Sequence, residues 1–212
     1  MTIVYVSRHS QPFRKLIGEY KSNDVEQLRN EKNTLSVAGE KFAEQMSNYS
    51  ELSNVEVLYS SHYVRAMGTA KYISEKNNIL LNVDERLGER RFGVDNMSEL
   101  PSTFFEDQFR NWDYKLPNGE SLNEVAKRMN QALLDILNTN KGRTIAIISH
   151  TTAISSMLKT WCDVILNEDS KLVELYFNNN LVFDGNWNCP ELFKLEFDDD
   201  NNLININNIK FN

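Results

Sequence analysis

The chain opens with a short apolar run that stops abruptly at an arginine and a histidine. Residues 2–7 are rich in β-branched and aromatic side chains, and Arg8 and His9 follow them directly. A run of this length and composition is typical of a buried strand and is too short to cross a membrane. We therefore expect Arg8 and His9 at the rim of a sheet, where its first strand ends.

The same arrangement occurs twice more along the chain. Residues 55–61 predict a second strand, and Arg65 falls in or near the first turn of the helix that follows it. Residues 144–149 predict a third strand, which ends at His150 before another helix begins. Ligands of open α/β sheets bind outside the carboxyl ends of the strands, where helix N-termini favour anions. Two arginines and two histidines at that edge predict a pocket for phosphate or another small oxyanion, because guanidinium groups match those oxygens in geometry and charge.

The order of the predicted elements indicates the fold class. Helical periodicity covers residues 36–49 and 62–76 and a segment that begins at Ser121 and that Gly142 can close. From residue 171 onward apolar and polar residues alternate, which is typical of strands joined by turns. We predict a three-layer α/β/α fold with a mixed, mostly parallel central sheet. A chain of 212 residues supports one buried core, so we expect a single domain over residues 1–212.

An aromatic and acidic segment interrupts this pattern at residues 94–120. Insertions at a sheet edge usually carry specificity, so we interpret this segment as a lid over the predicted pocket. Its aromatic residues are interpreted as core or lid packing rather than as substrate contacts; they are Phe104, Phe105, Phe109 and Trp112. Arg90 and Arg91 precede it and are expected to be solvated, with the alternative that one of them contacts a second anionic group of a substrate.

Composition excludes several classes of partner. The net charge of -7 argues against general binding to nucleic acid or to anionic membranes. No basic region followed by an apolar stretch opens the chain, so we expect a cytoplasmic protein. Cys162 and Cys189 form neither a disulfide framework nor a zinc-ligand spacing, and we interpret both as buried free thiols. No metal or other cofactor is predicted.

Six short motifs, in this order, resemble those of the histidine phosphatase superfamily, which contains phosphoglycerate mutases and many small-molecule phosphatases. The motifs are Arg8-His9, Leu35-Ser36-x-x-Gly39, Ser60-Ser61-x-x-x-Arg65-Ala66-x-x-Thr69-Ala70, Leu87-x-Glu89-x-x-x-Gly93, Gly119-Glu120-Ser121-x-x-x-Val125-x-x-Arg128 and Ser149-His150. Each is weakly specific alone, and together they span most of the chain. The resemblance implies the phosphoglycerate mutase-like fold.

The resemblance also implies roles for individual residues. His9 is expected to be the nucleophile that forms a phosphohistidine, and Glu89 the general acid and base. The oxygens of the transferring phosphoryl group are expected to be bound by Arg8, Arg65 and His150. Glu89 is the least certain of these by position, and the nearby alternatives are Glu85, Glu99 and Glu106.

The chain departs from the family pattern beside both histidines. Ser10 and Thr151 stand where the family usually has glycine, and Lys15 stands where it frequently has asparagine. We count these three residues, together with Arg90, as candidate substrate-binding residues. None of the departures falls on the four groups expected to bind the phosphoryl group.

We therefore predict a phosphomonoesterase that hydrolyses small soluble phosphate esters through a phosphohistidine, with a small phosphorylated metabolite as its partner. The first alternative is a cofactor-dependent phosphoglycerate mutase; against it, the chain is short for that branch and lacks its Pro-rich, Arg-bearing substrate segment. The second alternative is a binding or regulatory protein that kept the phosphate pocket without turnover. The physiological substrate and the oligomeric state are not predicted.

Overall fold

The computed structural model describes residues 1–13, 26–167, 169–170 and 172–211. The prediction that Lys15 binds substrate lies outside the described residues. Nine strands are present in this part of the chain: β1 (Thr2–Arg8), β2 (Val57–Ser60), β3 (Leu81–Val83), β4 (Thr144–Ser149), β5 (Asp163–Leu166), β6 (Val173–Phe177), β7 (Asn180–Phe183), β8 (Glu191–Phe197) and β9 (Leu203–Ile209).

The central sheet has six strands in the order β3-β2-β4-β1-β8-β9. Strands β3, β2, β4 and β1 are parallel neighbours, whereas β8 runs antiparallel to both β1 and β9. This confirms the predicted mixed, mostly parallel sheet. Because Arg8 pairs with Ser149 and Ser60 pairs with Ile148, the carboxyl ends of β1, β4 and β2 lie side by side at one edge.

Helices cover both faces of this sheet, as the three-layer prediction requires. Successive residues of a strand point to opposite faces, so in β4 Ile145 and Ile147 join one apolar cluster while Ala146 and Ile148 join the other. The first cluster contains side chains of α5 and α6, and the second contains side chains of α2 and α3. The helices are α1 (Glu26–Lys32), α2 (Val37–Ser47), α3 (Val64–Asn77), α4 (Phe104–Arg110), α5 (Leu122–Thr139) and α6 (Thr151–Leu158).

The strands after residue 171 are present as predicted, but they belong to two sheets. Strands β8 and β9 extend the central sheet, whereas β6 and β7 join β5 in a separate three-stranded antiparallel sheet. Strand β5 was not predicted, because its four residues are too few to establish an alternating pattern. The type of the central sheet was therefore predicted correctly, whereas the separate three-stranded sheet was not predicted.

The loop after His9 is held down by the start of α2. Ser10 Oγ donates to the Gly39 carbonyl over 2.7 Å, and the Ser36 N–H donates to the Gln11 carbonyl over 3.0 Å. Ser36 also caps α2, since its Oγ accepts the Gly39 N–H. The backbones approach so closely that a Cβ on Gly39 would overlap the Gln11 carbonyl oxygen. Glycine at position 39 thus fixes the backbone two residues beyond His9.

Gly39→Ala is expected to lower the free energy of unfolding by about 1–3 kcal/mol, because the methyl group must push the Gln11 backbone away. Gly68→Ala is the matched control, since its Cβ would lie 3.4 Å from Leu35 Cδ1, an ordinary contact. Gly68 lies inside α3, where alanine is favoured by about 0.5–1 kcal/mol. Urea denaturation of both variants measures the difference. A Gly39→Ala protein as stable as Gly68→Ala would contradict the proposed close contact.

Candidate active site

The predicted histidines and arginines meet at the carboxyl edge of the sheet. The His9 N–H donates to the Ser149 carbonyl, and the rings of His9 and His150 pack edge to face with centroids 5.1 Å apart. Both side chains are buried. Arg65, in the first turn of α3, reaches both rings: its Nε lies 2.9 Å from His9 Nε2 and its Nη2 lies 3.2 Å from His150 Nδ1.

The contacts of His9 define its protonation. His9 Nδ1 lies 2.7 Å from the Ser10 carbonyl oxygen, which can only accept, so Nδ1 carries the proton. Nε2 is then the unprotonated nitrogen, and its lone pair accepts a hydrogen bond from Arg65 Nε–H. Burial, followed by the charge of Arg65, holds the pKa of His9 well below its ordinary value, although the bond to Ser10 opposes this. His9 is therefore a neutral imidazole whose unprotonated nitrogen faces a cationic cluster.

Hydrogen bonds at both ring nitrogens orient the His150 side chain. Arg65 has only donors, so His150 Nδ1 accepts, and Nε2 donates to Ser61 Oγ over 2.8 Å. Burial, followed by electrostatic interactions with the adjacent His9 ring and with the Arg65 guanidinium, holds the pKa of His150 well below its ordinary value. The ring of Tyr63 packs against the imidazole at 4.4 Å between centroids, and the Arg65 guanidinium lies 4.8 Å from the same Tyr63 ring.

Arg8 and Arg65 both present donors at this edge. Arg8 Nη1 donates to the carbonyl oxygens of Asn188 and Trp187, at 3.1 Å and 3.4 Å. Within the described residues, the buried Arg8 Nε has no hydrogen-bond partner. Buried donors are almost always satisfied in folded proteins. An anion at this edge would supply the missing acceptor.

Part of α1 covers the cluster from outside. The Asn30 carbonyl accepts from Arg65 Nη1 over 2.5 Å, and Gln27 Nε2 donates to the Tyr63 hydroxyl over 2.9 Å. The Asn30 carbonyl oxygen thus already pairs with Arg65 Nη1, a donor that is expected to bind a phosphoryl oxygen. No sequence pattern predicts this contact, because a backbone carbonyl is present at every residue.

Glu89 lies beside the cluster and caps α6. Its Oε1 accepts the N–H groups of Ala153 and Arg90, at 3.0 Å and 2.9 Å, and its Oε2 accepts the Thr152 N–H at 3.3 Å. Burial lowers the pKa of Arg65, and the charge of Glu89 opposes that effect, so the two groups interact. The Glu89 carboxyl group thus lies at the N-terminus of the helix that follows His150 and accepts two of its first N–H groups.

The alternative glutamates lie elsewhere. Glu85 and Glu99 are exposed, and Glu99 Oε2 accepts the Asp95 N–H. The Glu106 side chain is 57% exposed and pairs with Arg110. Of the four candidates, Glu89 is the one that contacts the helix beginning after His150.

The structure contradicts two of the predicted substrate contacts. Arg90 was expected to be solvated or to contact a second anionic group, but it is only 1% exposed. Its guanidinium donates to the carbonyl oxygens of Glu120 and Tyr114 and to Gln108 Oε1, which connects residues 108–120 to one another and leaves no surface for a ligand. Ser10 is fully buried, and its hydroxyl is engaged by the Gly39 carbonyl. Local sequence could not show that Arg90 and Ser10 are buried, because the groups that pair with their side chains come from distant segments.

Predictions were also made for Arg91, Thr151 and the two cysteines. Arg91 is exposed, as expected, with a loose 3.5 Å pairing to Glu120. Thr151 is half-buried at the start of α6, directly after His150. Neither cysteine is in a disulfide; Cys162 is buried, as predicted, whereas Cys189 is only half-buried. Sequence reasoning assigned no role to Ser61 or Tyr63, although Ser61 lies within one of the quoted motifs.

The described residues contain neither a cluster of metal ligands nor a helix suited to cross a membrane. No group of three or more His, Cys, Asp and Glu side chains in this part of the chain is arranged to hold a metal ion. None of its helices is both long and apolar enough to cross a membrane.

Comparison with known proteins agrees with the arrangement at this edge. The model of the histidine phosphatase superfamily (branch 1) matches residues 4–175. Probable phosphoglycerate mutases GpmB of Escherichia fergusonii and Citrobacter koseri are each 26% identical over 170 residues, which cover 76% of this chain and 74% of theirs.

Solved structures show the same fold. A mycobacterial glucosyl-3-phosphoglycerate phosphatase superimposes with a TM-score of 0.65 at 16% identity, over 92% of this chain and 91% of that one. A phosphoserine phosphatase mutant of Entamoeba histolytica superimposes with a TM-score of 0.62 at 19% identity, over 98% and 97% of the two chains. The family model, which covers well over half of the chain, decides the assignment: this protein belongs to the histidine phosphatase superfamily.

Proposed function

We propose that this protein is a cytoplasmic phosphomonoesterase that hydrolyses small soluble phosphate esters through a phosphohistidine on His9. The observation that carries the proposal is the neutral imidazole of His9, whose Nε2 lone pair faces Arg65 beside His150. A neutral imidazole is a competent nucleophile toward phosphorus, and a covalent intermediate divides one difficult displacement into two easier ones. We also propose a single domain over residues 1–212, with residues 94–120 as its lid.

The first chemical step forms the phosphoenzyme. His9 Nε2 attacks phosphorus once Arg65 Nε–H has turned from its lone pair toward the substrate, the ester P–O bond breaks, and the leaving alkoxide takes a proton from the Glu89 carboxyl group. Donors of Arg8 and Arg65 bind the equatorial oxygens, where positioning and electrostatic stabilisation supply most of the catalysis. His150 adds a donor as the imidazolium, with Nδ1–H facing the phosphoryl group in place of the contact with Arg65 Nη2. Glu89 Oε2 makes a single longer bond, to the Thr152 N–H, and is therefore the oxygen we assign to the proton.

The second step releases phosphate. Glu89, now a carboxylate, takes a proton from water as the water oxygen attacks phosphorus and the N–P bond breaks. Inorganic phosphate leaves, and both His9 and Glu89 return to their starting forms. For either step the Asn30 carbonyl must leave Arg65 Nη1, so that this donor can bind the substrate.

The test is a balance of products. Inorganic phosphate is expected to appear one for one with the alcohol, measured on a panel of phosphorylated metabolites. The similarity to probable phosphoglycerate mutases favours one competing function, namely transfer between the 2- and 3-hydroxyls of phosphoglycerate. Efficient interconversion without phosphate release would establish that alternative, and the absence of any turnover would favour the non-catalytic binding protein.

Ser61→Ala is expected to lower kcat by about 10- to 100-fold through misplacement of the His150 ring. His150 Nε2–H would lose its acceptor in a fully buried position, which costs about 1–3 kcal/mol of folding stability. Ser60→Ala is the matched control, because the equally buried Ser60 hydroxyl donates to the Ser61 carbonyl and does not touch the imidazole. Steady-state kinetics and inhibition by inorganic phosphate measure both variants. Equal losses in kcat would show that the effect is not specific to His150.

A further inference from the structure

An aromatic cavity of about 240 Å³ lies against the N-terminus of α6, next to the phosphate-binding cluster. Two residues join the cavity to that cluster: Thr151 directly follows His150, and the carbonyl of Trp187 accepts from Arg8 Nη1. Thr152, which also lines the cavity, donates its N–H to Glu89. The aromatic wall is formed by Phe92, Phe105, Phe109, Trp112 and Trp187.

The side chains that line the cavity are uncharged, and a cation that contacts its wall, Lys159 Nζ, is engaged 3.8 Å from the centre of the Trp112 ring. None of the described residues that line it is an Asp, Glu, Lys, Arg or His, and its polar side chains are hydroxyls and one amide. The amide, Gln108, already accepts from Arg90. Ser156 is different: it is 1% exposed, it lines the cavity, and its Oγ makes no hydrogen bond within the described part of the chain. Buried hydroxyls normally have partners, and a rotation of the Ser156 side chain toward the cavity would give this hydroxyl a partner on a bound molecule.

We propose that this cavity binds the alcohol portion of the substrate, and that the preferred substrates are monoesters of uncharged alcohols with an aromatic body. This inference rests on the proposed phosphatase activity and adds the substrate class. An apolar cavity of about 150 Å³ accommodates benzene, so the volume here suffices for one ring and a short linker. An alcohol that carries a carboxylate or a second phosphate would enter it without a counter-charge, which is costly.

Two polar cavities, of about 170 Å³ and about 280 Å³, are competing places for the alcohol. Arg91 lines both of them, and Glu89 lines the larger one, so either could accept a carboxylate-bearing alcohol. Two features disfavour them. Arg91 already faces the carboxylate of Glu120 at 3.5 Å, and acidic side chains stand in both walls, Asp95 in the smaller and Glu31, Glu85 and Glu120 in the larger.

The closing experiment compares three phosphate esters of primary alcohols: 2-phenylethyl phosphate, 3-phosphoglycerate and O-phosphoserine. All three release a primary alkoxide, so differences in kcat/KM report mainly how the alcohol is bound. The wild-type protein is expected to prefer 2-phenylethyl phosphate by about 10-fold or more, the discrimination that an apolar pocket usually gives. Equal or better hydrolysis of 3-phosphoglycerate would overturn the inference and leave the phosphatase activity standing. No phosphate release from any of the three would refute both.

Two lysine variants locate the alcohol. Phe105 is 52% exposed, so Phe105→Lys is tolerated by the fold and brings a charge to the aromatic cavity. We expect it to reduce the preference for 2-phenylethyl phosphate by about 10-fold, with unchanged inhibition by inorganic phosphate. Met97→Lys is the matched control, because Met97 is 38% exposed and lines the smaller polar cavity. A larger change in preference in Met97→Lys than in Phe105→Lys would place the alcohol in that polar cavity and overturn the assignment.

A third variant tests the unpartnered hydroxyl. Ser156→Ala is expected to lower kcat/KM for 2-(4-hydroxyphenyl)ethyl phosphate by about 3- to 10-fold, the effect of one neutral hydrogen bond. It should leave kcat/KM for 2-phenylethyl phosphate within about twofold of the wild-type value, since that alcohol has no group to pair with Ser156. Equal losses on both esters would show that Ser156 supports α6 and does not contact the substrate.

Discussion

His9→Ala is expected to lower hydrolysis of phosphate monoesters by about 10⁴-fold or more, because the covalent route disappears with its nucleophile. The fold should survive, because the His9 ring bonds to the Ser10 carbonyl and to Arg65 Nε–H at the carboxyl edge of the sheet, outside the two apolar clusters, and its removal leaves Arg8, Arg65 and His150 in place. Inorganic phosphate should therefore still bind. The measurement is kcat on p-nitrophenyl phosphate together with a thermal denaturation curve.

A trapping experiment connects this loss to the intermediate. Brief exposure of the wild-type protein to a labelled ester, followed by denaturation, should yield a phosphoprotein that is labile in acid and stable in base. His9→Ala should yield none. His62→Ala is the matched control: its imidazole lies 3.5 Å from Glu31 and outside the His9, Arg65 and His150 contacts, so its phosphoenzyme should form normally. If His9→Ala kept more than a few per cent of activity, or if His62→Ala alone lost the phosphoenzyme, the assignment of the nucleophile would be wrong.

The meeting of His9, Arg65 and His150 was predictable from sequence because it follows from topology. Parallel neighbouring strands present their carboxyl ends at one edge, so residues that follow such strands converge whatever the rest of the chain does. The later strands were less predictable. Alternation identifies a strand but not its partner, so the separate sheet of β5, β6 and β7 could not be distinguished from an extension of the central sheet.

The errors at Arg90 and Ser10 have a common physical origin. A charged or hydroxyl side chain is normally exposed, and sequence reasoning assigns it to solvent unless its partners are visible nearby. Arg90 is instead buried because Gln108, Tyr114 and Glu120, 18 to 30 residues later, supply its acceptors. Such buried networks depend on tertiary contacts that no local pattern encodes. The same holds for Glu89, whose cap on α6 joins residues more than 60 positions apart.

That cap makes Glu89→Gln an unusually clean test of the general acid. Glutamine keeps one carbonyl oxygen, which can still accept the Ala153 and Arg90 N–H groups now bound by Oε1. Only the longer Thr152 contact is lost, so we expect the free energy of unfolding to change by less than about 1 kcal/mol. Glutamine cannot donate a proton to an alkoxide, however. The variant therefore separates the chemical role of the carboxyl group from its structural role.

The expected effect of Glu89→Gln depends on the leaving group. An alkyl phosphate releases a strongly basic alkoxide that needs a proton in the transition state, so kcat should fall by about 10²-fold or more. p-Nitrophenolate leaves without help, so its phosphoenzyme should form at a nearly normal rate. Hydrolysis of that phosphoenzyme should still be slow, because Glu89 also activates the water. A burst of p-nitrophenol followed by a slow steady state is therefore the expected signature, observed by stopped-flow absorbance.

Glu85→Gln provides the control, since Glu85 is exposed four residues before Glu89 and should show neither the burst nor the loss on alkyl phosphates. Equal losses on the two substrates in the burst phase of Glu89→Gln would mean that Glu89 positions the phosphoryl group or supports α6. The acid would then have to be sought among Glu85, Glu99 and Glu106. Because Glu106 pairs with Arg110 and Glu99 accepts from the Asp95 backbone, either one could act only after the lid segment rearranged toward His9. A variant in which residues 94–120 cannot move would separate the possibilities. Loss of its activity would indicate that Glu99 or Glu106 acts as the acid after a movement, and full activity would exclude both.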